Sequence, residues 1–163
     1  MRDRVRFRPV VETDTPFLRA LYASTREEEM RMLPWTPEQK RQFIDHQFFA
    51  QTKHYDDYYG QAEFLVITLD DAPIGRLYIY RGEQETEIID IALLPEFRGK
   101  GLGRQLLQEI IDEAKRDDKI VVIYVEHFNP ARHLYDRLGF QHVDTNGVYH
   151  LMKWSTKPLE VKV

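Results

Sequence analysis

Three cations and three glycines fall within one short stretch, Pro95-Glu96-Phe97-Arg98-Gly99-Lys100-Gly101-Leu102-Gly103-Arg104. Basic side chains set among glycines are the parts of an anion site. The glycines let the backbone turn sharply and approach a ligand closely, and the cations balance its charge. Pro95 has no N–H to donate, so it closes a strand that ends at Leu94. From Leu102 onward, Leu106, Leu107, Ile110, Ile111 and Ala114 recur at spacings of three and four. This pattern predicts a helix over 102–116 with one apolar face. The first turn of that helix offers free backbone N–H groups beside Arg98, Lys100 and Arg104, which suits a phosphate or pyrophosphate. The same residues would also serve as a plain strand-to-helix turn with solvated basic side chains. No Gly-Lys-Ser/Thr follows, so the stretch is not a P-loop, and its glycine spacing does not fit a dinucleotide fingerprint.

The elements that must position this loop can be read in order. Val5 and Phe7 alternate with arginines, as in a half-buried first strand. Asp14-Thr15-Pro16 opens a short helix with a capping residue and a proline in its first turn. Glu27, Glu28 and Glu29 read either as a solvated helix end or as the acidic wall of a pocket. Thr36-Pro37-Glu38-Gln39 begins a second helix, with Gln39 three residues after the Thr36 cap. Phe43 and Phe49 on that helix suit either the core or a partner subunit. His54 to Gly60 is polar and aromatic, suited to a substrate entrance or a covering loop. Runs at 63–69 and 74–80 form a hairpin, in which Gly75 marks a bulge or a close approach. A central strand follows, from Glu85 to Leu94. Ile120 to Val125 is an apolar run expected of a strand covered on both faces, reached by a parallel crossover. Asn129-Pro130 opens another helix, closed at Gly139. The turn Asn146-Gly147 joins the last two strands. Residues 155–163 form a tail whose alternating valines could pair with a sheet edge.

With 163 residues, 42% apolar and 31% charged, the chain fits a single domain, 1–154, plus that tail. The net charge of −4 argues against general nucleic-acid binding. No apolar run reaches the length of a membrane span, and Met1-Arg2-Asp3-Arg4 leads straight into a strand pattern, without a signal segment. There is no cysteine, so disulfides and thiolate chemistry are excluded, in keeping with a cytoplasmic protein. No histidine spacing matches a metal motif, so no metal is expected.

Arg98-x-x-Gly101-x-Gly103, preceded by Ala92-Leu93-Leu94-Pro95, resembles the coenzyme A pyrophosphate loop of the GNAT acyltransferases. Asn129-Pro130-Ala131, followed by Leu134-Tyr135 and Leu138-Gly139-Phe140, is similar to the second acyl-CoA motif of that family. The resemblance covers roughly Ala62 to Trp154. It implies an α/β (α+β) fold, with a mixed central sheet of about seven strands and about four helices, the first two helices flanking the acceptor. It implies acetyl-CoA as cosubstrate and an amine as acceptor, whether a small molecule or a peptide, with a homodimer as a further expectation. Carried over, the backbones of Leu93 and Leu94 would meet the pantetheine amides. Arg98, Gly99, Lys100, Gly101, Leu102, Gly103 and Arg104 would hold the pyrophosphate, and Asn129 would meet the CoA arm.

Acyl transfer from a thioester to an amine needs a neutral amine, and the departing thiolate benefits from a proton. Tyr135 matches the general acid of the family, and a phenol with a pKa of about 10 is a plausible donor to a thiolate. Packing against the sheet is the other use for that ring. For the base, Glu85 and Glu87 share the parity of Leu93 on the strand, whereas Asp90 faces the other side. Glu126 ends the following strand. Glu87, Glu126 and Asp90 remain alternatives, each able to act through a water or to pair with a nearby cation. A CoA-binding module without turnover would need the same loop.

Overall fold

The computed structural model describes residues 1–159, and the valines expected to reach an edge, Val161 and Val163, lie outside the described residues. The strands are β1 (Val5–Pro9), β2 (Glu63–Leu69), β3 (Ala72–Arg81), β4 (Glu85–Leu93), β5 (Ile120–Glu126), β6 (Gln141–Asn146) and β7 (Tyr149–Trp154). The helices are α1 (Thr15–Thr25), α2 (Glu27–Arg31), α3 (Pro37–Tyr58), α4 (Leu102–Arg116) and α5 (Arg132–Leu138). The strands form one mixed sheet in the order β1-β2-β3-β4-β5-β7-β6, with β4 and β5 parallel. The chain comprises two compact units. One is Met1–Leu77 with Ile91–Arg98; the other is Tyr78–Asp90 with the chain from Gly99 onward.

In the first unit, α1, α2 and α3 close a cluster of Leu18, Tyr22, Met30, Ile44 and Phe48, against which Phe17, Leu33 and Phe43 pack. Asp14 precedes α1, but its side chain does not cap the helix. Its carboxylate instead accepts from Arg8 at 2.8 Å and from the Val11 N–H at 2.8 Å, which ties β1 to the start of α1. The Arg8 hydrogen bond holds the Asp14 carboxyl below the usual carboxylate range, although its burial works the other way. Thr36 caps α3, with Gln39 closing the capping box. The helix then runs through His54 and Tyr55 to Tyr58, so the polar aromatic segment is helical rather than a loop. The three glutamates occupy the first turn of α2, exposed, with Met30 buried behind them. That placement suits the helix dipole.

Gly75 in β3 makes a close approach. A Cβ there would overlap the Ala92 carbonyl oxygen and stand 3.2 Å from Leu93 Cα, both backbone atoms of β4. Backbone cannot swing aside as a side chain can. Gly75→Ala is therefore expected to destabilise the chain by about 1–3 kcal/mol, the usual range for overpacking. Urea denaturation measures it, and a variant as stable as the parent would remove the constraint.

In the second unit, Leu102, Leu106, Leu107, Ile110, Ile111 and Ala114 are all buried, as their periodicity predicts, and α4 packs on β5. The β4–β5 ladder runs from Glu85↔Ile120 to Ile88↔Ile123. β5 continues against β7 as far as Glu126↔Tyr149. Beyond Ile88, Ile89 and Asp90 on β4 and Tyr124 to Glu126 on β5 lie past the last paired residues of that ladder.

Candidate active site

The loop after β4 is built from two left-handed glycines. Gly99 has φ +73° and Gly101, the N-cap of α4, has φ +84°. Both values fall where a Cβ is disfavoured. The first intrahelical bond of α4 runs from the Gln105 N–H to the Gly101 carbonyl, so the N–H groups of Leu102, Gly103 and Arg104 precede the ladder. No acidic side chain lies in that first turn. Lys100 and Arg104 are exposed and make no ion pair among the described residues. The result is a positive, N–H-rich helix start of the kind that binds phosphate groups.

Arg98 is held differently from its neighbours. Its Nε donates to the Leu93 carbonyl at 2.8 Å and its Nη2 to Ser24 Oγ at 3.0 Å. The sequence shows its charge but not this double anchor to a strand end and a helix. The Leu94 N–H donates to the Ile74 carbonyl at 2.8 Å. By strand alternation, the Leu93 N–H and C=O point away from β3. Of the two backbone positions expected to meet pantetheine, Leu93 is therefore the one turned away from β3, with its carbonyl already accepting from Arg98, and the Leu94 N–H is engaged by Ile74.

Tyr135 on α5 is 5% exposed and packs edge-on against Phe140 at 5.7 Å. Burial raises its hydroxyl pKa far above the ordinary value, and the charge of Asp90 adds to the rise. The phenol therefore stays protonated at neutral pH. Its hydroxyl has no hydrogen bond among the described residues. Asn129 precedes α5, and its Oδ1 accepts from the Ala131 N–H at 2.9 Å, which fixes the turn into the helix.

The carboxylates of β4 bear on different tyrosines. Thr86 and Ile88, on Asp90's side of β4, are buried. Glu85 and Glu87 lie on the other side, where their charges bear on Tyr124 of β5. Glu126 sits where β5 ends, and its carbonyl accepts from the Asn129 N–H at 3.0 Å. Tyr124 escaped the sequence reading, because one tyrosine in an apolar run carries no signal by itself. It is 47% exposed. Partial burial, then Glu87, Glu85 and Asp144, raise its pKa.

A histidine cluster also escaped the sequence reading. His127 Nδ1 and His150 Nε2 are 2.7 Å apart, and the His142 ring stands 4.8 Å from that of His150. One member of the close pair must donate and the other accept, so the pair cannot hold a proton on every nitrogen. The Asn146-Gly147 turn sets the register that gathers these rings, so their spacing along the chain conceals them. Burial lowers the His150 pKa below 6.5, and Arg132, His142 and His127 lower it further. A histidine whose folded pKa is depressed contributes stability that is present above its unfolded pKa and lost as pH falls. The melting temperature is expected to fall between about pH 7.5 and 5.5, more steeply than in His150→Gln. Thermal unfolding across that range checks this, and equal slopes for the two proteins would refute it.

The sequence profile of the Acetyltransferase (GNAT) family matches residues 20–140. The [ribosomal protein bS18]-alanine N-acetyltransferase of Haemophilus influenzae is 34% identical over 67 residues, 40% of this chain and 46% of that protein. The L-amino acid N-acyltransferase MnaT of Escherichia coli is 38% identical over 71 residues, 42% of this chain and 41% of that protein. Both matches span less than half of the relative's length. Among solved structures, the PaiA N-acetyltransferase of Thermoplasma acidophilum, in complex with coenzyme A, aligns with a TM-score of 0.66 at 19% identity. That alignment covers 93% of this chain and 98% of the other. A GNAT family acetyltransferase from Elizabethkingia anophelis with acetyl-CoA bound aligns with a TM-score of 0.60 at 20% identity, over 94% and 99% of the two chains. At these identities the two structures share the fold of this chain.

Proposed function

The chain belongs to the GNAT acetyltransferase family, and from this we propose that it transfers an acetyl group from acetyl-CoA to a primary amine by direct attack on the thioester. The observation that carries the reading is the phosphate-suited start of α4, with Tyr135 buried on the helix that follows β5. In this reading the N–H groups from Leu102 to Arg104 take the pyrophosphate, with Lys100 and Arg104 supplying charge.

The acceptor nitrogen forms a C–N bond to the acetyl carbon, and the C–S bond breaks. The sulfur leaves as a thiolate and takes the Tyr135 proton. The amine loses a proton in turn. Asp90, whose charge reaches Tyr135, is the carboxylate we assign to accept it, directly or through a water. Glu87 has Tyr124 as its neighbour instead, and Glu126 stands at the strand end.

A thiol-release assay with acetyl-CoA and a panel of amines and peptide amino termini tests this. The chain has no cysteine, so every thiol detected is CoA. Release that depends on the amine is the expected result. Tight acetyl-CoA binding with no amine-dependent release across the panel would identify a binding module without turnover.

A further inference from the structure

In the first unit, α1, α2 and α3 border a groove of about 770 Å³, within the range of small-molecule sites. Its apolar surface comes from Ala20 and Ala23 of α1, Met30 of α2 and Ile44 of α3. The two alanines stand three residues apart on one helix face, and their small side chains leave the space that a larger residue would fill. Met30 and Ile44 belong to the buried cluster, so the floor is fixed by core packing.

The rim is positive. Arg19, Arg31, Lys40 and Arg41 line it, against Glu27 and Asp45. Three of the four cations are already paired. Arg19 meets Asp45 at 3.5 Å, Arg31 meets Glu27 at 3.6 Å, and Arg41 pairs with Glu38 from outside the groove. Lys40 is half-buried, and its ammonium makes no ion pair or hydrogen bond among the described residues. An ammonium at the rim of an apolar cavity with no anion beside it is open to an anionic ligand.

We propose that this groove binds a small amphipathic carboxylate, with its hydrocarbon body along Ala23, Met30 and Ile44 and its carboxylate on Lys40. One unpaired cation fits a monoanion. A dianionic phosphate would have to draw a second cation out of an existing ion pair. The site is built from α1, α2 and α3 alone, and its probes test it without acetyl-CoA.

Octanoate, octylammonium and octanol share one chain and differ in the head group, so they serve as probes. Titrated into the ¹⁵N-labelled full chain, octanoate is expected to shift the amides of Ala20, Ala23, Met30 and Ile44. It should bind more tightly than octanol, and octylammonium should bind least. Lys40→Gln is expected to weaken octanoate about tenfold or more, as loss of a charge-assisted hydrogen bond does, and to leave octanol within about twofold. Ala23→Trp should fill the groove and abolish both. Lys40 lies at the rim rather than in the core, so its variant tests the proposal even if Ala23→Trp fails to fold. Octylammonium binding as tightly as octanoate, unchanged octanoate affinity in Lys40→Gln, or shifts confined to other residues would each overturn it.

Discussion

Tyr135→Phe is expected to reduce acetyl transfer by about 10- to 1,000-fold while the affinity for acetyl-CoA changes little. The substitution keeps the ring and its contact with Phe140 and removes only the hydroxyl. If the ring merely packed, phenylalanine would serve as well and turnover would hold. The split between turnover and binding matters because the proton is needed only as the C–S bond breaks. A thiolate is a tolerable leaving group, so the lower part of the range is expected for a reactive amine. Burial and Asp90 both keep the hydroxyl protonated, so its loss should not be mimicked by raising the pH to 9. Steady-state kinetics with one acceptor, together with calorimetry for acetyl-CoA, decide the matter. Full turnover in a folded phenylalanine variant would end the assignment.

The second large effect is expected at Gly101. Gly101→Val should weaken acetyl-CoA by on the order of 10- to 100-fold, well beyond its effect on folding stability. A Cβ at Gly101 meets no protein atom within 4 Å, so the substitution does not clash with the protein. The cost comes from φ +84°, which a β-branched residue avoids. The chain can relieve that strain by rotating the peptide that opens α4. Rotation costs the helix little, but it turns the N–H groups away from the pyrophosphate. Calorimetry on a variant with a melting temperature near that of the parent measures the effect. Unchanged affinity would show that those N–H groups do not carry the phosphate.

What the sequence reveals is what local rules determine. The face of α4 follows from its leucine and isoleucine spacing, and the Thr36 cap from Gln39 three residues later. β5 follows from an unbroken apolar run, and the last hairpin from Asn146-Gly147. Features that depend on register are hidden. Gly75 reads as a bulge or a close approach, and only β4 beside it decides for the close approach. Arg98 reads as a phosphate ligand, and nothing local shows that Leu93 and Ser24 already hold it. Residues 54–58 have no helical periodicity, yet α3 continues through them. There the Lys53–Asp57 pair at 2.8 Å and the His54–Tyr58 ring contact at 4.8 Å support the last turns. Among the candidate bases, parity separates Asp90 from Glu87, and the charge of Asp90 is the one that bears on Tyr135.

The left-handed geometry of Gly99 and Gly101 also has a consequence for the gene. A single base change in any glycine codon leads to alanine, valine, serine, cysteine, arginine, tryptophan, aspartate or glutamate, or to a stop. Of these, aspartate enters the left-handed region most readily, and it would bring a negative charge to the place where the phosphates belong. Asparagine, the neutral residue best suited to that backbone, lies two base changes away. The loop therefore has no good neighbour one mutational step away, and its two glycines are expected to stay fixed in a mutational scan selected for acetyl-CoA binding.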